Sequence, residues 1–269
     1  MHVLEYHKDW CGPEPAVEDQ RFIVIYEEDG YLYRALTRQR CESTADIRFD
    51  DLYSTNMIRG RIYPEFNESF TKAEGSPEQL AALHFKAPSL SFYTPRHPNL
   101  IAEIWHNEVA NCELLRKHPH PNIAVYHGCS VSEKNEIKGV YFSYYNQTLM
   151  DKVNPMRLSK HEFAYGQQIG PDRAQVDLWI QGIAAGLDHL HSLGIVHNDI
   201  NPNNIMFEGD TPVIIDFDSV RAIGCDLTWV KQTDGWHNPK TMKAMPDNDI
   251  TALHEMKLWL LGDVDEFQF

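Results

Sequence analysis

A carboxylate at Asp199, an amide at Asn204 and a second carboxylate at Asp216 stand close together in the chain, at spacings that suit chemistry on phosphates. The first two belong to His197-Asn198-Asp199-Ile200-Asn201-Pro202-Asn203-Asn204, and the third to Val213-Ile214-Ile215-Asp216-Phe217-Asp218. Phosphoryl transfer needs a carboxylate beside the attacking hydroxyl and oxygen ligands for the Mg²⁺ on a nucleotide, roles that Asp199, Asn204 and Asp216 could fill. An Asn/Pro-rich loop can aim Asp199 and Asn204 into one cleft, and the apolar run before Asp216 predicts a buried strand delivering its carboxylate to the same place. Either piece alone reads equally as an ordinary turn or strand end. The two in this order are far more specific.

The elements that must position these groups are legible around them. Val176, Ile180, Ile183, Leu187 and Leu190 recur at helical spacing before the loop, with Gly194 placed to end the helix. A second helix carries Ile101, Ile104, Trp105, Glu108, Cys112 and Leu115 on one face, which puts Glu108 on the apolar, inward side and leaves Glu103 and Glu113 on the exposed side. Arg21–Tyr26 and Tyr31–Leu36 flank Glu27-Glu28-Asp29-Gly30 as a hairpin, residues 65–78 read as turns or a loop, and residues 250–261 form one amphipathic helix.

The motifs resemble the eukaryotic protein kinase family, whose catalytic loop reads His-Arg-Asp-Leu-Lys-Pro-Glu-Asn and whose metal motif reads Asp-Phe-Gly. The resemblance runs from about Leu83 to Leu253. It includes Ile183–Val196, similar to the helix leading into the catalytic loop, and His118-Pro119-His120-Pro121-Asn122, similar to the turn after the small-lobe helix. It implies that Lys86 holds the α- and β-phosphates of ATP with Glu108 as its partner, and that Tyr144 and Asn146 lie in the hinge that holds adenine. Gln232–Lys240 is similar to the end of the activation segment, with Thr233 beside Asp199, and Asp249 is similar to the aspartate that holds the catalytic-loop backbone from below.

Several departures bear on mechanism. Asn198 replaces the arginine that grips a phosphorylated activation loop, so that switch is expected to be absent. Asn201 replaces a catalytic-loop lysine, which predicts slower chemistry unless another cation compensates. Asp218 replaces the glycine of the metal motif, where its carboxylate either adds a metal ligand or repels a phosphate. Lys240 replaces a glutamate that pairs with a late large-lobe arginine. Residues 62–70 fall where a glycine-rich loop would cover ATP, yet they contain no glycine and bring Glu65 and Glu68. Gly60 is too isolated to restore that motif.

Composition fits these expectations. The 269 residues suffice for one two-lobed domain, and 24 Lys+Arg against 39 Asp+Glu gives a net charge of −15, which argues against a general nucleic-acid or anionic-membrane surface. The five cysteines, Cys11, Cys41, Cys112, Cys129 and Cys225, form no Cys-x-x-Cys pair and are odd in number, as in a reducing compartment; Cys112 reads as core. The close histidine pairs His118/His120 and His189/His191 fall in segments the resemblance explains without zinc. With no signal segment and no membrane-length apolar run, the cytoplasm or nucleus is the expected location.

The expected fold is α+β: a kinase-like two-lobed fold with a β-rich small lobe and a shortened, mainly helical large lobe. The expected boundaries are 1–57 for an N-terminal extension of the small lobe, 58–143 for the small lobe and 144–269 for the large lobe. The motifs resemble most a divergent kinase-like branch found in fungi. The resemblance implies a Mg-ATP-dependent transfer to a serine or threonine hydroxyl with a protein as substrate or partner; the alternatives are a pseudokinase scaffold and a small-molecule kinase of the choline or aminoglycoside type.

Overall fold

The computed structural model describes residues 1–8, 20–50, 52–57, 61–90, 93–94, 96–166 and 171–269. Cys11 and Gly60 lie outside the described residues. The chain divides into two compact units, one of Met1–Asn67, Ala87–His106 and Val131–Gly139, the other of Glu68–Lys86, Asn107–Ser130 and Val140–Phe269.

The first unit is built on an antiparallel sheet of β1 (His2–Lys8), β2 (Phe22–Glu28), β3 (Tyr31–Thr37) and β4 (Tyr53–Met57) in sequential order. Asp29 and Gly30 form the two-residue turn between β2 and β3, both at positive φ (49° and 80°), as a turn matching the strand twist requires. Ile23, Ile25, Leu32 and Met57 pack on one side with Ile62, Leu90 and Ile101, and Val24, Tyr26 and Ala35 on the other with Ile47. This two-sided burial explains why β2 reads as a continuous apolar run. Residues 64–66 pair with 135–137 through Ile137 N to Pro64 O (2.9 Å) and Phe66 N to Asn135 O (2.8 Å).

The second unit holds the candidate site. After α1 (Pro77–Ala81), capped by Ser76, comes the short strand β5 (His84–Lys86). Helix α2 (Leu100–Lys117) enters this unit at Asn107. A three-stranded sheet of order β5-β7-β6 follows from β6 (Tyr126–Val131) and β7 (Ile137–Phe142), with Lys86 opposite Val140. Thr71 O accepts from Cys129 N (2.7 Å) and Ala73 N donates to Cys129 O (2.9 Å), so residues 71–73 lie directly along β6. This approach requires Gly128: a Cβ there would stand 2.7 Å from Ala73 N, and its φ is +123°.

The helical part contains α3 (Leu149–Val153), α4 (Lys160–Tyr165) and α5 (Arg173–Ser192). Asp172 caps α5 by accepting from Gln175 N (2.8 Å), and Gly194 takes the left-handed conformation just past its end (φ +78°). Next come β8 (Ile195–Val196), the hairpin β9 (Ile205–Glu208) and β10 (Thr211–Ile214), then β11 (Arg221–Ala222). The apolar stripe of α5 lies on β10 so closely that a Cβ at Gly186 would meet Ile214 Cδ1 at 2.9 Å. Asn122, from the His-Pro-His-Pro turn, donates to Pro212 O (2.7 Å) and accepts from Ile214 N (2.9 Å). The strand leading to Asp216 is therefore held on both sides.

The last helix, α6 (Pro246–Leu261), starts at a proline and stops at Gly262, which is left-handed (φ 76°). Trp259 is fully buried against Phe163 of α4 (ring centroids 4.3 Å apart) and Trp236 (5.5 Å). Beside it Lys160 forms a buried ion pair with Glu255 and also donates to Gly235 O (2.7 Å). This pair ties α4, α6 and the chain at Gly235 together without Lys240, which is exposed. Among the described residues no helix is long and apolar enough to cross a membrane.

Candidate active site

Lys86 lies at the end of β5 with its ammonium 2.5 Å from Glu108 Oε1 and 2.5 Å from Asp216 Oδ1. Glu108 is fully buried, and its Oε2 accepts no hydrogen bond among the described residues. Burial pushes this carboxyl up to about 7 against the opposing pull of Lys86. The Lys86 ammonium resists its own desolvation because Glu108 and Asp216 favour the charged form, and its pKa lies above the usual lysine range. Glu103 is exposed. Glu113 departs from the sequence expectation of an exposed face: it is buried, accepting from Thr71 N (2.5 Å), Thr71 Oγ1 (2.9 Å) and Tyr126 OH (3.1 Å). Its face of α2 is covered because residues 71–73 run along β6, a long-range packing that helical periodicity does not encode.

Asp216 sits just past β10 in left-handed conformation (φ 66°), which a short polar side chain tolerates. Burial would raise its pKa, but the ammoniums of Lys86 and of Lys231, 3.3 Å from Oδ2, hold it well below the usual carboxylate range. Lys231 also stands 3.9 Å from Asp218 Oδ2, and those carboxylates raise its pKa against desolvation. Asp218 Oδ1 is engaged by Ser219 Oγ (2.8 Å).

Asp199 is 3% exposed and held by Thr233 and Asn204. Its Oδ1 accepts from Thr233 N (2.7 Å), its Oδ2 from Asn204 Nδ2 (3.1 Å), and its carbonyl from Asn204 Nδ2 (2.8 Å). Burial raises its pKa despite the Thr233 hydrogen bond and the nearby His197 and Lys231. The five-residue step from Asp199 to Asn204 therefore has a physical reason. Pro202–Asn204 forms a 3-10 turn that brings the amide back onto the aspartate, with Asn201 Oδ1 accepting from Asn203 N (2.9 Å). Asn204 O in turn accepts from Ile215 N (3.0 Å), which brings Asn204 beside the residue preceding Asp216.

A buried framework holds the loop from the other side. Asp249 Oδ2 accepts from His197 N (2.9 Å) and lies 2.8 Å from His191 Nε2, and its Oδ1 accepts from Asn198 N (2.8 Å). Asn198, also left-handed (φ 66°), donates to Val196 O (2.9 Å) and Ser219 O (3.1 Å). His189 Nε2 lies 2.7 Å from His118 O, and its ring stacks on His120.

Next to Lys86 and Asp216 is a cavity of about 240 Å³, whose other walls are His84, Ala124, Phe142, Ser143, Tyr145, Met206 and Ile215. Tyr144 is 64% exposed and Asn146 is also exposed, while Ser143 and Tyr145 face the cavity. The alternation turns over where β7 ends at Phe142: Ser143 N donates to Val125 O (2.9 Å) and Tyr145 OH accepts from Val125 N (3.2 Å). The site thus gathers Lys86, Glu108, Asp199, Asn204, Asp216 and Thr233, and leaves the side chains of Tyr144 and Asn146 outside. Sequence spacing did not point to Lys231; its one signal is a position two residues before Thr233.

A profile of the protein kinase domain matches residues 98–262. The chain belongs to the protein kinase domain family. Among its relatives, the serine/threonine-protein kinase Tao of Drosophila melanogaster is 28% identical over 161 residues, which is 60% of this chain and 14% of that protein. The MAPK/MAK/MRK overlapping kinase of Mus musculus is 27% identical over 161 residues, 59% of this chain and 35% of that protein. The matched stretch thus spans about a third or less of these relatives' lengths. The family in general uses ATP with a divalent metal ion. The donors present suit a hard cation: Asp216 and Asp218 bring carboxylate oxygens, and Asn204, whose amide nitrogen donates to Asp199, brings an amide oxygen.

Proposed function

We propose that this chain binds Mg-ATP and transfers its γ-phosphoryl group to a serine or threonine hydroxyl of a protein. The observation that carries the reading is Lys86 clamped between Glu108 and Asp216, at 2.5 Å from each, beside a largely apolar cavity. The cavity would take the adenine, backbone atoms of residues 143–145 giving it polar partners. Lys86, oriented by Glu108, holds the α- and β-phosphates. Asn204 and Asp216 would hold Mg²⁺, which supplies charge neutralisation on the β- and γ-phosphates when bound.

Asp199 is oriented by Thr233 N and Asn204 Nδ2 toward the incoming hydroxyl. Burial raises its proton affinity, which suits it to take the hydroxyl proton. As that oxygen bonds to the γ-phosphorus, the bond from phosphorus to the β–γ bridging oxygen breaks and its electron pair leaves with ADP. The same reading assigns the chain to the divergent kinase-like branch found in fungi, on the strength of Asn201 and Asp218, and to the cytoplasm or nucleus.

A pseudokinase scaffold is the second reading, favoured by one observation: both oxygens of Asp216 are engaged by ammonium groups. Thermal denaturation with and without Mg-ATP separates the two when joined to a turnover assay. The enzyme reading expects Mg-dependent stabilisation that Asp216→Ala removes, together with turnover that Asp199→Ala abolishes. Stabilisation without turnover supports the scaffold, and absence of both refutes nucleotide binding.

A further inference from the structure

We propose that Lys231 supplies to the transferring phosphoryl group the positive charge that the catalytic loop, with Asn201, lacks. The proposal rests on the phosphotransferase reading and adds a residue to that site.

Asn201 cannot serve as the cation. Its amide is neutral and already spent inside the loop: Nδ2 donates to Asp199 O (3.1 Å) and to Thr233 Oγ1 (3.1 Å), and Oδ1 accepts from Asn203 N (2.9 Å). The surroundings meanwhile are strongly negative. Asp199, Asp216, Asp218 and Glu108 bring four carboxylates to the site, and Lys86 contacts Glu108 and Asp216. A polyphosphate entering such a site needs a second fixed cation, because like charges at contact distance in a partly buried site repel by several kcal/mol.

Lys231 is built into that place. Its carbonyl accepts from Ser219 Oγ (2.8 Å), tying its backbone to the Asp216-Phe217-Asp218 segment. Two residues on, Thr233 N holds Asp199 Oδ1 at 2.7 Å. The stretch of chain carrying Lys231 is thus pinned on one side by Ser219, the residue after Asp218, and on the other to the Asp199 carboxylate. The side chain holds Nζ 3.3 Å from Asp216 Oδ2 and 3.9 Å from Asp218 Oδ2. It remains 40% exposed, so the ammonium has room to move onto a phosphate oxygen. The ammonium forms no bond to the phosphoryl group. It stabilises the charge on the non-bridging oxygens while the proton goes to Asp199 and the electron pair to ADP.

The test compares wild type, Lys231→Ala and the double variant Lys231→Ala/Asn201→Lys, each checked for an unchanged melting temperature without ligand. A preorganised donor removed from a developing charge costs on the order of 10²–10³ in kcat. A partly exposed ammonium falls below that range, so Lys231→Ala should lower kcat at least about tenfold, and Asn201→Lys should restore most of the loss. An independent readout is nucleotide affinity: Lys231→Ala should weaken Mg-ATP binding several-fold while leaving Mg-ADP nearly unchanged, because only ATP carries the γ-phosphate. Equal effects on ATP and ADP, tighter Mg-nucleotide binding once the lysine is gone, or unchanged kcat would each overturn the role of Lys231 and leave the phosphotransferase reading standing. A wild-type protein that binds neither nucleotide would overturn both.

Discussion

Replacing Asp249 by asparagine isolates the force that holds the loop at residues 197–204 in shape. Asp249 is fully buried on α6 and takes three donors: His197 N and His191 Nε2 on Oδ2, and Asn198 N on Oδ1. Asparagine keeps the volume but offers one acceptor oxygen. Its best orientation keeps that oxygen toward His197 and His191, which turns an amide NH₂ against the buried Asn198 N–H. One unsatisfied buried donor costs about 1–3 kcal/mol. The remaining bonds lose charge assistance, which is roughly half their strength, or about 1 kcal/mol more. The expected destabilisation is therefore about 2–4 kcal/mol. At about 2–4 °C per kcal/mol for a chain of this size, the melting temperature should fall on the order of 5–15 °C. Circular dichroism melts of the wild type and the variant measure it directly. A shift within one or two degrees would refute the claim that this carboxylate, rather than the apolar packing of α5 and α6, sets the loop geometry.

Other outcomes follow from the same geometry. Gly128→Ala forces a Cβ to 2.7 Å from Ala73 N at a φ of +123° and should cost more than about 2 kcal/mol; a variant as stable as wild type would contradict the close approach of residues 71–73. Glu113→Ala removes three donors' acceptor and should destabilise by about 2–4 kcal/mol, whereas Glu113→Gln, retaining one oxygen, should lose about half as much in the same melts. The pKa of Asp216 is depressed in the fold, so its carboxylate contributes stability that is fully present above the unfolded-state value near pH 4 and lost as pH falls toward the folded value. The melting-temperature gap between wild type and Asp216→Asn should therefore shrink as pH drops from 6 to 3, and a constant gap would contradict the pairing with Lys86 and Lys231.

What could be read from the chain depended on how local its cause was. The return of Asn204 onto Asp199 is made within one 3-10 turn, and the α5 stripe ends at a left-handed Gly194, so spacing and composition carry both. The buried position of Asp249, which equally suits a surface carboxylate by sequence, is decided by two backbone N–H groups more than fifty residues upstream. Glu113 looked exposed because its helix was judged alone, and the covering segment arrives from residue 71. Tyr144 and Asn146 were placed in a hinge by resemblance alone, which does not say which side chains along residues 143–146 are exposed. Lys231 had only its place two residues before Thr233 as a signal, since its meaning comes from Ser219 and Thr233 fixing the chain on either side. The Lys160–Glu255 pair was hidden for the same reason: its partners are 95 residues apart.

The central claim is phosphoryl transfer through Asp199, and the most direct measurement is incorporation of labelled γ-phosphate from Mg-ATP into the protein itself and into a mixed pool of serine- and threonine-containing peptides. Wild type should label a serine or threonine, and Asp199→Ala should fold, keep its Mg-ATP-dependent thermal stabilisation and label nothing. Equal labelling by wild type and Asp199→Ala, or a wild type that is stabilised by Mg-ATP yet transfers no phosphate to either acceptor, would contradict it.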